Sequence, residues 1–169
     1  MRVTLIMTTT ADGFISRSAQ DPSEWTETYD QYFFDAKTRE IGTVIMGANT
    51  YRMLSGPFDG RLNIVLSSNA EGHENIPNVL EFHSGEPAEV LDELEKRDIH
   101  EVALIGGSQI NGSFLLENLV DEIYLTVTPQ LFGRGLSIGS ERDLETQLEL
   151  ADVKEMEDGS AIIHYLVQN

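Results

Sequence analysis

Ala103-Leu104-Ile105-Gly106-Gly107-Ser108-Gln109-Ile110 runs from a buried strand through two glycines into a helix. Val102-Ala103-Leu104-Ile105 is a short, continuous apolar run, the pattern of a strand covered on both faces. Helical sequence follows over residues 108–118. A helix that starts this abruptly leaves its first amides without partners, and those amides attract a phosphate. Glycine at 106 and 107 admits positive φ and lets a bound group come close to the backbone. The same pair also serves as a tight turn and nothing more, and taken alone these residues leave both readings open.

Two further strand ends repeat the arrangement. Ile45-Met46-Gly47-Ala48-Asn49-Thr50-Tyr51 sets a glycine after an apolar run and a hydroxyl at a helix start, where Thr50 either caps the helix or bonds a phosphate. Leu62-Asn63-Ile64-Val65-Leu66 ends in Ser67-Ser68-Asn69. Ligands of open α/β sheets bind outside the carboxyl ends of the strands, so three such ends on one edge point to a ligand more strongly than one.

Around them the pattern alternates. Val3-Thr4-Leu5-Ile6-Met7 reads as a first strand that ends in the turn Ala11-Asp12-Gly13. Residues 29–40 read as a helix with Tyr29, Phe33 and Ala36 on one face, and residues 87–97 as another with Pro87 in its first turn. Residues 123–127 and 161–167 close the chain with strand patterns, while 68–78 and 134–143 read as loops. Strands alternating with helices imply right-handed βαβ units and a parallel sheet covered on both faces. The expected architecture is a single α/β domain over residues 1–169. Its three layers, α/β/α, enclose a mixed, mainly parallel sheet with an antiparallel C-terminal edge.

The chain has 169 residues, enough for one domain with a substantial core. Eleven Lys and Arg stand against 29 Asp and Glu, a formal charge of -18, which argues against a nucleic-acid partner. A phosphate-bearing ligand must then be held by local amides and hydroxyls against a repulsive field. Cysteine is absent, no signal-peptide pattern opens the chain, and no apolar run nears the roughly 20 residues of a membrane span. A cytoplasmic protein without membrane contact is expected. His73, His83, His100 and His164 show no paired spacing, so no metal site is expected.

The succession Asp12-Gly13-x-Ile15, Val44-Ile45-Met46-Gly47-x-x-Thr50-Tyr51, Asn63-Ile64-Val65-Leu66-Ser67-Ser68, Ile105-Gly106-Gly107 and Leu119-Val120-Asp121-Glu122-Ile123-Tyr124-Leu125-Thr126 resembles dihydrofolate reductase in order and spacing. The resemblance implies the dihydrofolate-reductase-like fold and NADPH as cofactor, with NADH the other candidate. It places Gly47, Asn49, Thr50, Ser67 and Ser68 at the adenine-ribose-phosphate part of the cofactor. Ile105, Gly106, Gly107, Ser108, Gln109 and Ile110 fall at the pyrophosphate and beside the nicotinamide. The later stretch Thr128-Pro129-Gln130-Leu131-Phe132-Gly133-Arg134-Gly135, with Asp121-Glu122, is similar to the C-terminal reductase domain of the riboflavin-pathway deaminase/reductase. That likeness implies a homodimer and offers reduction of a ribosylaminopyrimidine phosphate as an alternative. The chain departs from it at Tyr29-Asp30-Gln31-Tyr32-Phe33-Phe34, where the riboflavin enzyme carries an arginine, and at Arg52-Met53-Leu54-Ser55-Gly56-Pro57.

Trp25, Asp30 and Phe34 resemble the tryptophan, acid and phenylalanine of the dihydrofolate reductase substrate pocket, and Thr126 the threonine that supports the acid. Independently of the family, Asp30 and Phe34 stand at i and i+4, so a carboxylate and a ring share one helix face. Asp30 is equally suited to a solvated place near the helix N-terminus. The implied activity is NADPH-dependent hydride transfer to a pyrimidine- or pteridine-like small molecule, with Asp30 polarising or protonating the ring-nitrogen side. A non-catalytic nucleotide-binding protein that keeps the fold is the alternative from another class. Ala48 occupies the place of the family's phosphate-pairing arginine, and no cation adjoins Thr50 or Ser67-Ser68 in sequence. A modest preference for NADPH over NADH is therefore expected.

Overall fold

Strand β1 (Arg2–Thr10) runs inside the sheet because both of its faces are apolar or hydroxylic. Val3 and Leu5 point to one layer, and Thr4, Ile6 and Thr8 to the other. The computed structural model describes residues 1–21, 23–139 and 143–168, with backbone alone for Ser23, Glu24, Glu27, Thr28 and Asp30. After β1 come β2 (Phe14–Ser16), α1 (Glu27–Ile41), β3 (Thr43–Gly47), α2 (Ala48–Met53), β4 (Leu62–Leu66) and β5 (Leu80–His83). The rest of the chain forms α3 (Pro87–Glu95), β6 (Glu101–Leu104), α4 (Ser108–Leu116), β7 (Glu122–Thr128), β8 (Leu136–Ser137), β9 (Gln147–Glu155) and β10 (Ala161–Gln168). The main sheet has the order β5-β4-β3-β6-β1-β7-β10-β9. Pairing is parallel from β5 to β7, and β10 runs antiparallel to both β7 and β9.

Two apolar layers sandwich the sheet. Ile6, Val44, Met46, Val65 and Ala103 meet Phe33, Phe34 and Ile41 of α1 and Tyr51 of α2. On the opposite face Leu5, Ile45, Ile64 and Leu104 meet Val90, Leu91 and Leu94 of α3 and Phe114 and Leu115 of α4. Each such side chain, fully buried, contributes about 1.5–3 kcal/mol. The mixed, mainly parallel sheet with its antiparallel edge is the architecture expected from the sequence. Among the described residues no helix is long and apolar enough to cross a membrane.

Several local expectations are corrected. Ala36 is exposed, and the inward stripe of α1 is Phe33, Phe34, Thr38 and Ile41. Thr38 is turned inward by a distant partner: its hydroxyl donates to Phe34 O at 2.7 Å and accepts from Arg61 Nη1 at 2.6 Å. Residues 134–143 hold β8, which pairs with β2. Residues 68–78 include a 3-10 turn at Ala70–Gly72. β5 and β9 are the two edges of the sheet, and every residue of β9 is exposed. A strand that buries so little carries only a weak apolar signal.

One buried polar cluster fastens the middle of the sheet to its antiparallel edge. Glu122 is 2% exposed, accepts from Thr4 Oγ1 at 2.9 Å, and pairs with Arg2 Nη2 at 3.1 Å. His164 Nε2 lies 2.7 Å from Glu122 Oε2, and its ring stacks on Tyr124 at 4.1 Å. Burial pushes the Glu122 carboxyl up, but bonds from Thr4, His164 and Arg2 together outweigh it and hold the group below its ordinary range. A carboxylate lowered on folding stabilises above its unfolded value, and that contribution disappears as pH falls through the folded value. Glu122→Gln should therefore melt below the parent protein at pH 7, with the gap closing as pH drops below about 4.5. Calorimetric melts of both proteins across pH 3 to 7 check it, and a pH-independent gap would contradict it.

Candidate functional site

The chain leaves adjacent strands in opposite directions. From β3 it turns into α2, whose Ala48 and Tyr51 pack on the α1 face, while from β6 it turns into α4 on the other face. Neighbouring strands whose connections part in this way open a crevice at their carboxyl ends. Here the crevice lies between Gly47 and the pair Gly106-Gly107.

Its floor is backbone. Gly47 N–H donates to Gly106 O at 2.8 Å, and Ile105 N–H donates to Ile45 O at 2.9 Å. A Cβ on Gly47 would stand 2.7 Å from Ile110 Cγ1, closer than packed carbons tolerate, so only glycine fits. Gly106 has φ +101, a conformation that side chains disfavour, and the Gly106–Gly107 peptide is cis. A Cβ on Gly107 would come within 3.2 Å of Thr50 Oγ1. The two turns thus bring Gly47, Thr50, Gly106, Gly107 and Ile110 together. α4 begins without a side-chain cap, so the positive end of its dipole and its first amides are left for another acceptor.

The flanking residues are less uniform. Ile105 is buried and Gln109 is exposed. The Ser108 hydroxyl donates to Ser137 O at 2.5 Å and so fastens α4 to β8. Ser67 Oγ accepts from Asn69 N–H at 3.2 Å, and Ser68 is exposed. Arg52, one turn along α2, donates through Nη2 to Asn49 Oδ1. The sequence reading found no cation next to Thr50. Arg52, two positions further on, was passed over, and its i, i+3 spacing to Asn49 was the available signal for their bond.

On the α1 face, Thr126 is 1% exposed and stands opposite Thr8 in the pairing of β1 with β7. Trp25 sets its ring edge-on to Phe132 at 5.0 Å, and its Nε1 is buried with no hydrogen-bond partner. Thr128 Oγ1 is likewise buried and unpartnered. Phe34 rests on Phe58 at 5.5 Å, so Trp25 and Phe34 lean on different neighbours. Asp30 lies in the first turn of α1, but its side chain is outside the described residues.

The loop under Trp25 is held by a residue whose contacts the sequence did not reveal. Asp12 accepts from Thr10 Oγ1 at 2.6 Å, from Gly133 N–H at 2.7 Å and from Phe132 N–H at 3.2 Å. The Thr10 bond leads these contacts in holding the Asp12 carboxyl below its usual range. The Arg17 guanidinium covers the Phe132 ring at 3.9 Å.

A second opening, a cleft of about 480 Å³, lies beyond the ends of β4 and β5. His73 stacks on Phe82 there at 4.3 Å, and Glu71, Glu89 and Glu93 line the walls. Those carboxylates make it a poor seat for phosphate. Among the described residues no three imidazole or carboxylate groups converge as metal ligands.

Known proteins resemble this chain in sequence and in fold. Dihydrofolate reductase of Haemophilus influenzae is 32% identical over 126 residues, covering 75% of this chain and 71% of that protein. Two solved structures share the fold. A pyrimidine reductase-like protein of Corynebacterium diphtheriae superposes with a TM-score of 0.81 at 15% identity, covering 99% of this chain and 92% of that one. The Thermotoga maritima diaminohydroxyphosphoribosylaminopyrimidine deaminase/5-amino-6-(5-phosphoribosylamino)uracil reductase superposes with a TM-score of 0.74 at 21% identity, over 98% of this chain and 56% of its own length. The sequence profile of dihydrofolate reductase matches residues 2–163, a span that includes both glycine turns and Thr126, and the chain belongs to that family.

Proposed function

We propose that this protein is an NADPH-dependent reductase of a pyrimidine- or pteridine-like ring. The observation that carries the reading is the crevice of Gly47, Gly106 and Gly107, where added Cβ atoms would meet Ile110, Met7 and Thr50, beside the uncapped start of α4. Residues of this kind fit a diphosphate-bearing dinucleotide. Amides need no net positive charge to bind an anion, which suits a chain of charge -18.

In this reading the amides of Ser108, Gln109 and Ile110 hold the diphosphate. Thr50, Asn49, Ser67 and Ser68 hold the adenosine end, with Arg52 at the 2′-phosphate. NADPH, when bound, supplies the hydride. The chain orients the acceptor ring on the α1 face, against Thr126 and the Trp25–Phe132 pair, and excludes water there. Asp30 holds a proton at the acceptor's ring-nitrogen side. Cytoplasmic residence and a homodimer belong to the same proposal. For the dimer, the exposed Leu148, Leu150 and Val153 of edge strand β9 are the surface in support.

Cofactor titration followed by turnover tests the reading, with a dihydropterin and a ribosylaminopyrimidine phosphate as trial acceptors. Asp30→Asn should leave NADPH affinity within about twofold and lower kcat at least about tenfold, about 1.4 kcal/mol of transition-state stabilisation. Unchanged kcat with a turned-over acceptor would leave Asp30 a helix-start residue only. Arg52→Ala should weaken NADPH about tenfold while leaving NADH unaffected. Competition titration of the two dinucleotides measures this directly, and equal losses would show that Arg52 does not read the 2′-phosphate.

A further inference from the structure

Thr128 closes β7 and is 1% exposed, and its hydroxyl has no hydrogen-bond partner. Its neighbours show how hydroxyls at this end of the sheet are ordinarily met. Thr10, its register partner on β1, donates to Asp12 at 2.6 Å and accepts from Phe14 N–H at 3.0 Å. On the other side Ser160, one step before the Ala161–Val127 pair, donates to Asp158 Oδ1 at 2.6 Å. Both have an aspartate two positions away to take the proton. The places two away from Thr128 hold Thr126 and Gln130, so no carboxylate is supplied locally. Leaving a buried hydroxyl unpaired costs the folded state, and natural cores avoid it.

The direction of the side chain gives this orphan its context. Side chains two apart on a strand share a face, and the pairing with β1 sets Thr126 and Thr128 beside Thr8 and Thr10. On that face Ile6 and Tyr124 meet Phe33 of α1. Thr128 therefore stands about 7 Å beyond Thr126, toward the carboxyl end of the sheet. The loop that leaves it carries Phe132, and the Trp25 indole resting on Phe132 has its own N–H buried and unpartnered. Two unmet groups thus border one loop, an indole that only donates and a hydroxyl able to donate. What suits them is a hydrogen-bond acceptor. A charged oxygen would forfeit its hydration at this depth, so a neutral one fits.

We infer that Thr128 is a specificity-determining residue of the acceptor side, and that its hydroxyl donates to a neutral oxo oxygen on the acceptor ring. The inference rests on the reading given above, in which the acceptor lies on this face against Thr126, and adds the substituent that is recognised. Only β1 separates β7 from β6, so a ring held at Thr128 by one edge presents its other edge toward the glycine crevice. The same ring with hydrogen in place of the oxo group leaves the hydroxyl unpaired.

A chemical double-mutant cycle tests the pairing. One axis is Thr128→Val, which removes the hydroxyl and keeps the shape. The other is pterin against aminopteridine, which carries hydrogen where pterin carries its oxo oxygen. A diaminopyrimidinone against the matching diaminopyrimidine covers the second ring class. Calorimetric titration gives the dissociation constants, and the melting temperature of each protein alone is recorded. Thr128→Val should weaken the oxo ring of a bound pair about tenfold and its partner less than about twofold, because the bond is already missing there. The Val variant should melt at or above the parent, since an apolar group of the same shape relieves the unpaired hydroxyl. Thr128→Ser keeps the hydroxyl and should hold the oxo preference within about threefold, while melting lower for the lost methyl.

Equal weakening of both members of a pair, or none, would overturn the assignment. So would a Val variant that melts below the parent and loses both rings alike, which is the behaviour of a residue that only supports the fold. If the parent binds none of the four rings, the acceptor reading falls and this inference with it. If it binds a pair and the cycle shows no coupling, only the role of Thr128 falls.

Discussion

The hydrogen bond from Gly47 N–H to Gly106 O, 2.8 Å across the ends of β3 and β6, is the contact on which the site depends. It forms where the chain departs from two neighbouring strands toward opposite faces of the sheet. The departure creates the crevice, and the bond keeps its floor narrow. Narrowness explains the glycines: Ile110 fills the space a side chain at 47 would need, and Thr50 stands against any at 107. The helix that starts here is uncapped because its cap residue is itself one of those glycines. Fold, glycine content and an unsatisfied helix start are thus one constraint seen at three levels.

The charge of the chain sharpens this constraint. With a formal charge of -18, long-range attraction contributes nothing toward a phosphate ligand. Affinity must come from groups within hydrogen-bond reach, and the repulsive background is screened beyond about 8–10 Å in ordinary salt. In the proposed reading Arg52 matters for the same reason, as a guanidinium held in place by its bond to Asn49. The cleft walled by Glu71, Glu89 and Glu93 illustrates the opposite case, since its volume is ample and its chemistry suits an anion poorly.

How much of this could be read from the sequence followed from how local each cause is. β3, β4 and β6 were legible because they are buried on both faces and so appear as unbroken apolar runs. β5 and β9 were not, because edges bury little and β9 is exposed along its whole length. The rotation of α1 was misread at Ala36 because a distant residue, Arg61, decides it by bonding Thr38. At the crevice, Gly47, Gly106 and Gly107 stood out in the sequence because close backbone approach demands glycine, and they follow directly on buried strands. The packing of Trp25 on Phe132 and the hold of Asp12 on the same loop join segments far apart in sequence, which no local pattern records.

Amide hydrogen exchange with and without NADPH tests the central claim most directly, because backbone groups are what the crevice offers. Protection should concentrate at residues 48–51, 67–69 and 107–111, which border the two glycine turns and the end of β4. It should be absent from the cleft lined by His73 and Phe82. Protection confined to that cleft, or none at the glycine turns under saturating dinucleotide, would contradict the account.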